Sequence, residues 1–246
     1  MELRDAIAVV TGGARRLGRA TVVALARSGC HVVVNHHQSP EAAADTVREA
    51  QALGVRAEAF RADVRERDRA HALIDFAIAT FGRLDLLVAN AGVFRRTPMA
   101  DVTSDDWDDM MRSNLDTLFY CAQRAAPHLR ERRGAIVAFA DVAAIRPWVD
   151  YIPYSIAKSC VVALVRDLAR ELAPQVRVNA IAPGPVLFPD GFDPALRQRE
   201  IDRTLLRRAG TAQDIADAVL FLARSDYITG VVLPVDGGRL LYRREA

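Results

Sequence analysis

The chain has 246 residues, 51% of them hydrophobic, with 33 Lys and Arg against 31 Asp and Glu for a net charge of +2. So small a surplus offers no basic field for nucleic acid, and no apolar run approaches the ~18 residues of a membrane span. The length suits one large α/β domain or two small ones, with apolar residues enough for a full core.

In chain order, short apolar runs alternate with longer amphipathic stretches. A strand over Ile7–Thr11 opens through a glycine-rich turn into a helix over Leu17–Ser28. Strand His31–Asn35 precedes helix Pro40–Leu53, and strand Arg56–Arg61 precedes helix Glu66–Phe81. Strand Leu84–Ala89 is followed by one long helical pattern over Ser104–Leu129, and strand Ala135–Phe139 by helix Ile152–Ala173. Strand Arg177–Ile181 leads into a weakly patterned, proline-rich segment, Pro183–Arg208, then helix Ala212–Ala223 and a last strand, Val231–Val235. Alternation of this kind predicts a parallel sheet with helices on both faces. Runs such as Ile7-Ala-Val-Val10 and Val32-Val-Val34 are apolar without alternation, as strands buried on both sides should be. No repeat or linker interrupts the pattern, which predicts one domain over residues 1–246. The segment from about 184 to 208 is expected to form a lid.

The minor features point to little chemistry. Cys30, Cys121 and Cys160 are odd in number and far apart, which predicts reduced thiols rather than a disulfide framework. The five histidines show no ligand spacing, and adjacent His36 and His37 would face opposite sides of a strand, so no metal is expected. The run Arg130-Glu-Arg-Arg133 reads as a solvated turn. Met1-Glu-Leu-Arg-Asp5 enters the first strand directly, so no signal peptide and a cytoplasmic location are expected.

Two groups of residues do point to chemistry. Thr11-Gly12-Gly13-Ala14-Arg15-Arg16-Leu17-Gly18 lies between the first strand and its helix, where glycines let a backbone approach a pyrophosphate at a helix N-terminus. Asn90-Ala91-Gly92 closes the fourth strand, where a second backbone segment would meet the same dinucleotide. The second strand ends in Asn35-His36-His37-Gln38-Ser39, with no carboxylate before Glu41 to accept from a ribose 2′-hydroxyl. Arg15, His37 and Ser39 would instead welcome a 2′-phosphate, which favours NADPH.

The second group is Tyr154-Ser-Ile-Ala-Lys158, which places a phenol and an ammonium on one helix face, with Asp141 thirteen residues upstream at a strand end. A nearby ammonium is expected to lower the phenol's pKa toward the operating range of an acid–base catalyst. The apolar neighbours of Asp141 push its own pKa upward while Lys158 opposes, and the sequence leaves that contest open. Asp141 is either a proton-bearing group facing substrate or a cap at the strand end.

Together these residues resemble the short-chain dehydrogenase/reductase family, over the whole chain: the Thr11-Gly12 turn, Asp63-Val64, Asn90-Ala91-Gly92, Asn114, Tyr154 and Lys158, Pro183-Gly184 and Val235-Asp-Gly-Gly238. The resemblance implies a single-domain Rossmann-type, doubly wound parallel sheet of about seven strands with helices on both faces. It also implies that Asp63 and Val64 meet the adenine, Asn90 the adenosine side, Pro183 and Gly184 the nicotinamide, and that Asn114 holds a water in a proton relay. Two departures, Arg16 for the second turn glycine and Asp141 for the usual serine, are the pattern of the family's pteridine reductase branch. Phe94 stands where that branch stacks a phenylalanine on the pterin, and His37-Gln38-Ser39 echoes its His-x-Ser stretch, with Gln38 where an arginine is common. Gly92 stands where some members carry serine.

An ionised carboxylate accepts hydrogen bonds and would repel a developing alkoxide, whereas a pterin's amino group and ring nitrogens suit it. The expected activity is therefore NADPH-dependent reduction of dihydropterins or dihydrofolate, with Tyr154 and Asp141 as proton donors. A reductase of another carbonyl or imine substrate and a non-catalytic NADP(H)-binding sensor are the alternatives. Arg16 either contacts phosphate alone or also reaches the substrate. Phe94 either stacks on a ring or packs beneath the lid, Trp148 is wall or packing, and Leu187 closes over substrate. The family implies a homotetramer paired through the long helices, with Leu115, Leu118, Phe119, Val161, Val165 and Leu168 as the apolar faces. The tail Leu240–Ala246 would cross a subunit interface or fray.

Overall fold

The structure is a computed structural model that describes residues 1–188 and 191–242. Seven strands, β1 (Ile7–Val10), β2 (His31–His36), β3 (Ala57–Arg61), β4 (Leu86–Ala89), β5 (Ala135–Phe139), β6 (Arg177–Pro183) and β7 (Val232–Val235), form one sheet in the order β3-β2-β1-β4-β5-β6-β7. Every pairing is parallel. The chain winds outward from β1 in one direction and then restarts at β4 in the other, which opens a crevice at the C-terminal ends of β1 and β4.

Adjacent residues of one strand feed opposite faces. Val10 packs with Val22, Leu25, Ile215 and Val219, from helices α1 (Arg16–Arg27) and α8 (Ala212–Arg224), with α2 (Pro40–Ala52) beside them. Val9 packs with Leu73, Leu118, Val161 and Val165, from α3 (Arg67–Phe81), α5 (Thr117–Arg132) and α6 (Ile152–Leu172). Burial on both sides explains why these strands lack polar alternation. Leu118, Val161 and Val165 thus serve the protein's own core, while Phe119 remains 42% exposed. Cys30, Cys121 and Cys160 are free, and burial pushes the Cys30 and Cys121 thiols up to about 12. Among the described residues, no helix is long and apolar enough to cross a membrane.

Two elements differ from expectation. The pattern over Ser104–Leu129 is not one helix: α4 (Ser104–Met111) passes through a π-helical segment, Arg112–Asp116, into α5. Hydrophobic spacing cannot reveal one wide turn, and such turns gather at functional sites. The proline-rich segment is not wholly irregular either, since it carries α7 (Pro194–Asp202). Asp193 caps it, accepting from the amides of Ala195 and Leu196, and Pro194 sits in the first turn, where it lacks no needed donor. The prolines that hide the periodicity therefore start the helix. Pro189 and the tail from 243 to 246 lie outside the described residues.

Candidate active site

The sheet brings the ends of β1, β4, β5 and β6 to one edge, and a cavity of about 1230 Å³ opens there. The glycine-rich turn and Asn90-Ala91-Gly92 form its floor. Asn90 donates its side-chain amide to the carbonyls of Thr11 (2.9 Å) and Gly12 (3.0 Å), while Thr11 Oγ1 accepts from the amides of Asn90 and Ala91. Asn90 therefore holds the two backbone segments together. A Cβ on Gly18 would lie 2.1 Å from the Gly12 carbonyl oxygen, so only glycine permits the helix to start so close to the strand. Arg16, by contrast, adopts φ +53°, a left-handed conformation that usually costs a residue with a side chain ~1–2 kcal/mol. Its guanidinium spans the cavity to donate to the carbonyls of Leu187 (2.7 Å) and Phe188 (3.4 Å). Arg16 thus lines the cavity beside the glycine turn and also clasps the lid.

Beyond the floor stand the titratable residues. Tyr154, on the first turns of α6, donates its O–H to Asp141 Oδ2 at 2.8 Å. The other carboxyl oxygen, Oδ1, accepts from the Ala143 amide at 2.7 Å, so Asp141 is both a cap and a cavity residue. Lys158, one turn further along α6, donates to the Phe139 carbonyl at 2.8 Å, and its ammonium lies 5.9 Å from the Tyr154 ring centre. Asp141 keeps some surface open to the cavity, but protein atoms close around its carboxyl. Burial raises its pKa above the usual carboxylate range, against the opposing pull of the Ala143 amide, Tyr154 and Lys158. Burial lowers Lys158 to about 8.

Tyr154 reverses an expectation. In place of a phenol lowered by Lys158, the structure holds one whose pKa is raised well above 10, first by burial and then by the Asp141 carboxyl that it faces. The Lys158 ammonium gives a hydrogen bond to the Phe139 carbonyl and none to the phenol. Tyr154 is therefore a phenol that holds its proton and donates it in a hydrogen bond to Asp141.

The π-helical segment explains Asn114. Its amide nitrogen donates to the carbonyls of Val93 (3.0 Å) and Met110 (3.0 Å), leaving Oδ1 buried without a partner among the described residues. A Cβ on Gly92 would stand 2.7 Å from that oxygen and 3.5 Å from Lys158 Nζ. The bare backbone at Gly92 thus lies against both an unsatisfied acceptor and the buried ammonium, and a glycine cradle, an orphaned acceptor and a held ammonium together fit a nicotinamide dinucleotide. Pro183 and Gly184 also line the cavity, and Gly184 packs so tightly on Asp236 that a Cβ would lie 2.7 Å from its Cα.

Not every expected contact residue gathers there. His37, Gln38, Ser39, Asp63 and Val64 sit at the ends of β2 and β3, outside the cavity lining, with His37 Nδ1 3.7 Å from Asp63 Oδ2. The Asp63 carboxyl is engaged bidentately by Arg65, which holds its pKa below the usual range, and the Val64 side chain belongs to the core. Phe94 stacks on Tyr151 (4.9 Å, 11°) and meets Trp148 and Tyr154 edge-on, so Phe94 and Trp148 both belong to an aromatic wall of the cavity. Tyr151 and the Phe139 carbonyl are functional groups that the sequence pattern does not single out. Tyr151 is the residue that precedes α6 and pairs in a β-bridge with Thr97, and neither that placement nor a backbone acceptor leaves a mark in the spacing of the sequence.

A family profile described as enoyl-(acyl carrier protein) reductase matches residues 12–239. The 3-oxoacyl-[acyl-carrier-protein] reductase FabG of Staphylococcus aureus is 37% identical over 237 residues, spanning 94% of this chain and 96% of that protein. The chain belongs to the short-chain dehydrogenase/reductase family. Among solved structures, a Burkholderia cenocepacia short-chain dehydrogenase in complex with NADP aligns at TM-score 0.93 and 33% identity, covering 98% of this chain and 100% of that one. A 7α-hydroxysteroid dehydrogenase complexed with NADH and 7-oxo glycochenodeoxycholic acid aligns at TM-score 0.91 and 34% identity, covering 96% of each. As a member of this family the protein is an NAD(P)-dependent oxidoreductase.

Proposed function

We propose that the protein is an NADPH-dependent reductase of the pteridine reductase type, acting on dihydropterins or dihydrofolate. The observation that carries this reading is the 2.8 Å hydrogen bond from Tyr154 to an Asp141 carboxyl that lines the cavity. Bound NADPH supplies a hydride to an electrophilic ring carbon. Tyr154 holds the proton that goes to the neighbouring ring nitrogen, and Asp141 accepts from the ring's N–H groups or delivers the proton itself. Lys158 and the free oxygen of Asn114 orient the sugar side and the route by which that proton is replaced. Phe94, backed by Tyr151, offers a flat apolar face to a heterocycle. Arg15 in the wall and the lack of a carboxylate at the end of β2 support NADPH over NADH. Phe119 on α5 and Ile156 on α6, both about two-fifths exposed, support a homotetramer paired through those helices.

One observation favours a second reading, a ketone reductase like the FabG relatives. Burial keeps Asp141 protonated to higher pH than usual, and a protonated carboxyl can donate to a ketone oxygen as a hydroxyl does. An NADPH-oxidation assay against dihydrobiopterin, dihydrofolate and simple ketones decides between them. Pterin turnover with poor ketone turnover supports the first reading, and the reverse supports the second. Tight NADPH binding with no turnover of any class would leave a sensor.

A further inference from the structure

Past the aromatic wall the cavity turns basic. Arg96, Arg146, Arg199, Arg203 and Arg239 line it, against only two carboxylates beyond Asp141 among the described lining residues, Glu200 and Asp202. Glu200 is shared: Oε1 takes Arg203 at 2.7 Å, and Oε2 takes Nε and Nη2 of Arg239, at 3.1 and 2.9 Å. Arg239 is 6% exposed, so one buried arginine fixes the lid helix α7 to the loop after β7. Asp202 accepts from the neutral amide of Gln198. Arg96 pairs with Asp150, which stands outside the lining.

Two arginines remain. Arg146, in the loop after β5, gives a hydrogen bond to the Tyr242 carbonyl (2.7 Å) and meets no carboxylate among the described residues. The Arg199 side chain, on α7, has neither a hydrogen bond nor an ion pair among them. Scattered arginines on a convex surface are ordinary solvated charge, but these converge from two separate segments on one concavity. Like charges collected in a cleft repel each other and raise the local concentration of anions.

We propose that Arg146 and Arg199, supported by the Glu200-anchored pair Arg203 and Arg239, form a subsite for an anionic tail of the substrate, a carboxylate or phosphate remote from the reacting ring. This rests on the reductase reading above and narrows it to substrates built as a flat reacting end plus a charged tail. Among pterins it selects dihydrofolate, with its glutamyl carboxylates, over a tailless ring. Arginine suits the task because its planar fork engages either oxyanion with paired hydrogen bonds.

The test uses the enzyme with its cofactor and matched substrates that differ only in the tail. One pair is dihydrofolate and the same dihydropterin ring bearing a methyl group. The other is a β-ketoacyl thioester of phosphopantetheine and of uncharged N-acetylcysteamine, which distinguishes phosphate from carboxylate. In the double variant Arg146→Gln, Arg199→Gln, KM for the charged member of the productive pair should rise about three- to tenfold relative to its neutral partner, with kcat little changed. Added salt should narrow the same gap in the wild type. An equal effect on both members, or no initial preference for the charged one, overturns the proposal. If only the ketone pair is reduced, the pterin reading fails while the tail subsite is still judged on that pair. If neither is reduced, tryptophan-fluorescence binding of the same pairs to the NADP⁺ complex replaces KM: tighter binding of the charged member, lost in the double variant, supports the subsite, and equal binding overturns it.

Discussion

The floor and the roof of the cavity are built on opposite terms. The floor is backbone against backbone: Gly18 and Gly92 leave no room for a Cβ, Gly12 takes a left-handed φ of +60°, and the Asn90 amide locks the two loops together. The roof, residues 185–188 and α7, is held by long side chains: the Arg16 clasp, the Arg239–Glu200 pair and Arg197 over the Phe188 ring at 5.4 Å. No residue of α7 is buried. A floor of this kind fixes one ligand geometry by sterics, whereas a roof of this kind can change its occupant by exchanging side chains.

Substitutions should separate the two. The largest effect is expected at the floor. Gly18→Ala drives a Cβ into the Gly12 carbonyl, so dinucleotide affinity should fall by more than tenfold and stability by about 1–3 kcal/mol. Fluorescence titration with NADPH and a thermal melt measure both; unchanged affinity would mean that the turn does not hold the cofactor. A smaller effect is expected at the roof. Arg16→Gly removes a left-handed arginine, so stability should hold or rise by about 1 kcal/mol while the lid loses its clasp. KM for substrate should then increase several-fold with NADPH affinity nearly intact. A fall in NADPH affinity instead would return Arg16 to the phosphates.

The same division governs how far the sequence can be read. Strand positions are legible because burial on both faces leaves an uninterrupted apolar run, and β5 (Ala135–Phe139) is bounded as the sequence predicts. The glycine turn is legible because its chemistry is steric. The π-helical turn that sets Asn114, and the start of α7 hidden among prolines, are not, because periodicity averages over single turns. Least legible is charge. The Tyr154 phenol moves upward rather than downward because it is buried and faces the Asp141 carboxyl, while the Lys158 ammonium gives its hydrogen bond to the Phe139 carbonyl. No local pattern discloses where an ammonium points.

The central claim is that the Asp141 carboxyl acts in the proton-handling centre as well as capping a strand end. The pH dependence of kcat for dihydropterin reduction, in wild type and in Asp141→Asn, tests it most directly. Wild-type turnover should decline as pH rises through about 8, where buried Lys158 loses its proton. Asp141 raises the Lys158 pKa, so Asp141→Asn should shift that decline to lower pH and cut turnover about a hundredfold. Wild-type turnover with an unmoved alkaline limb would contradict the claim and leave Asp141 a structural cap.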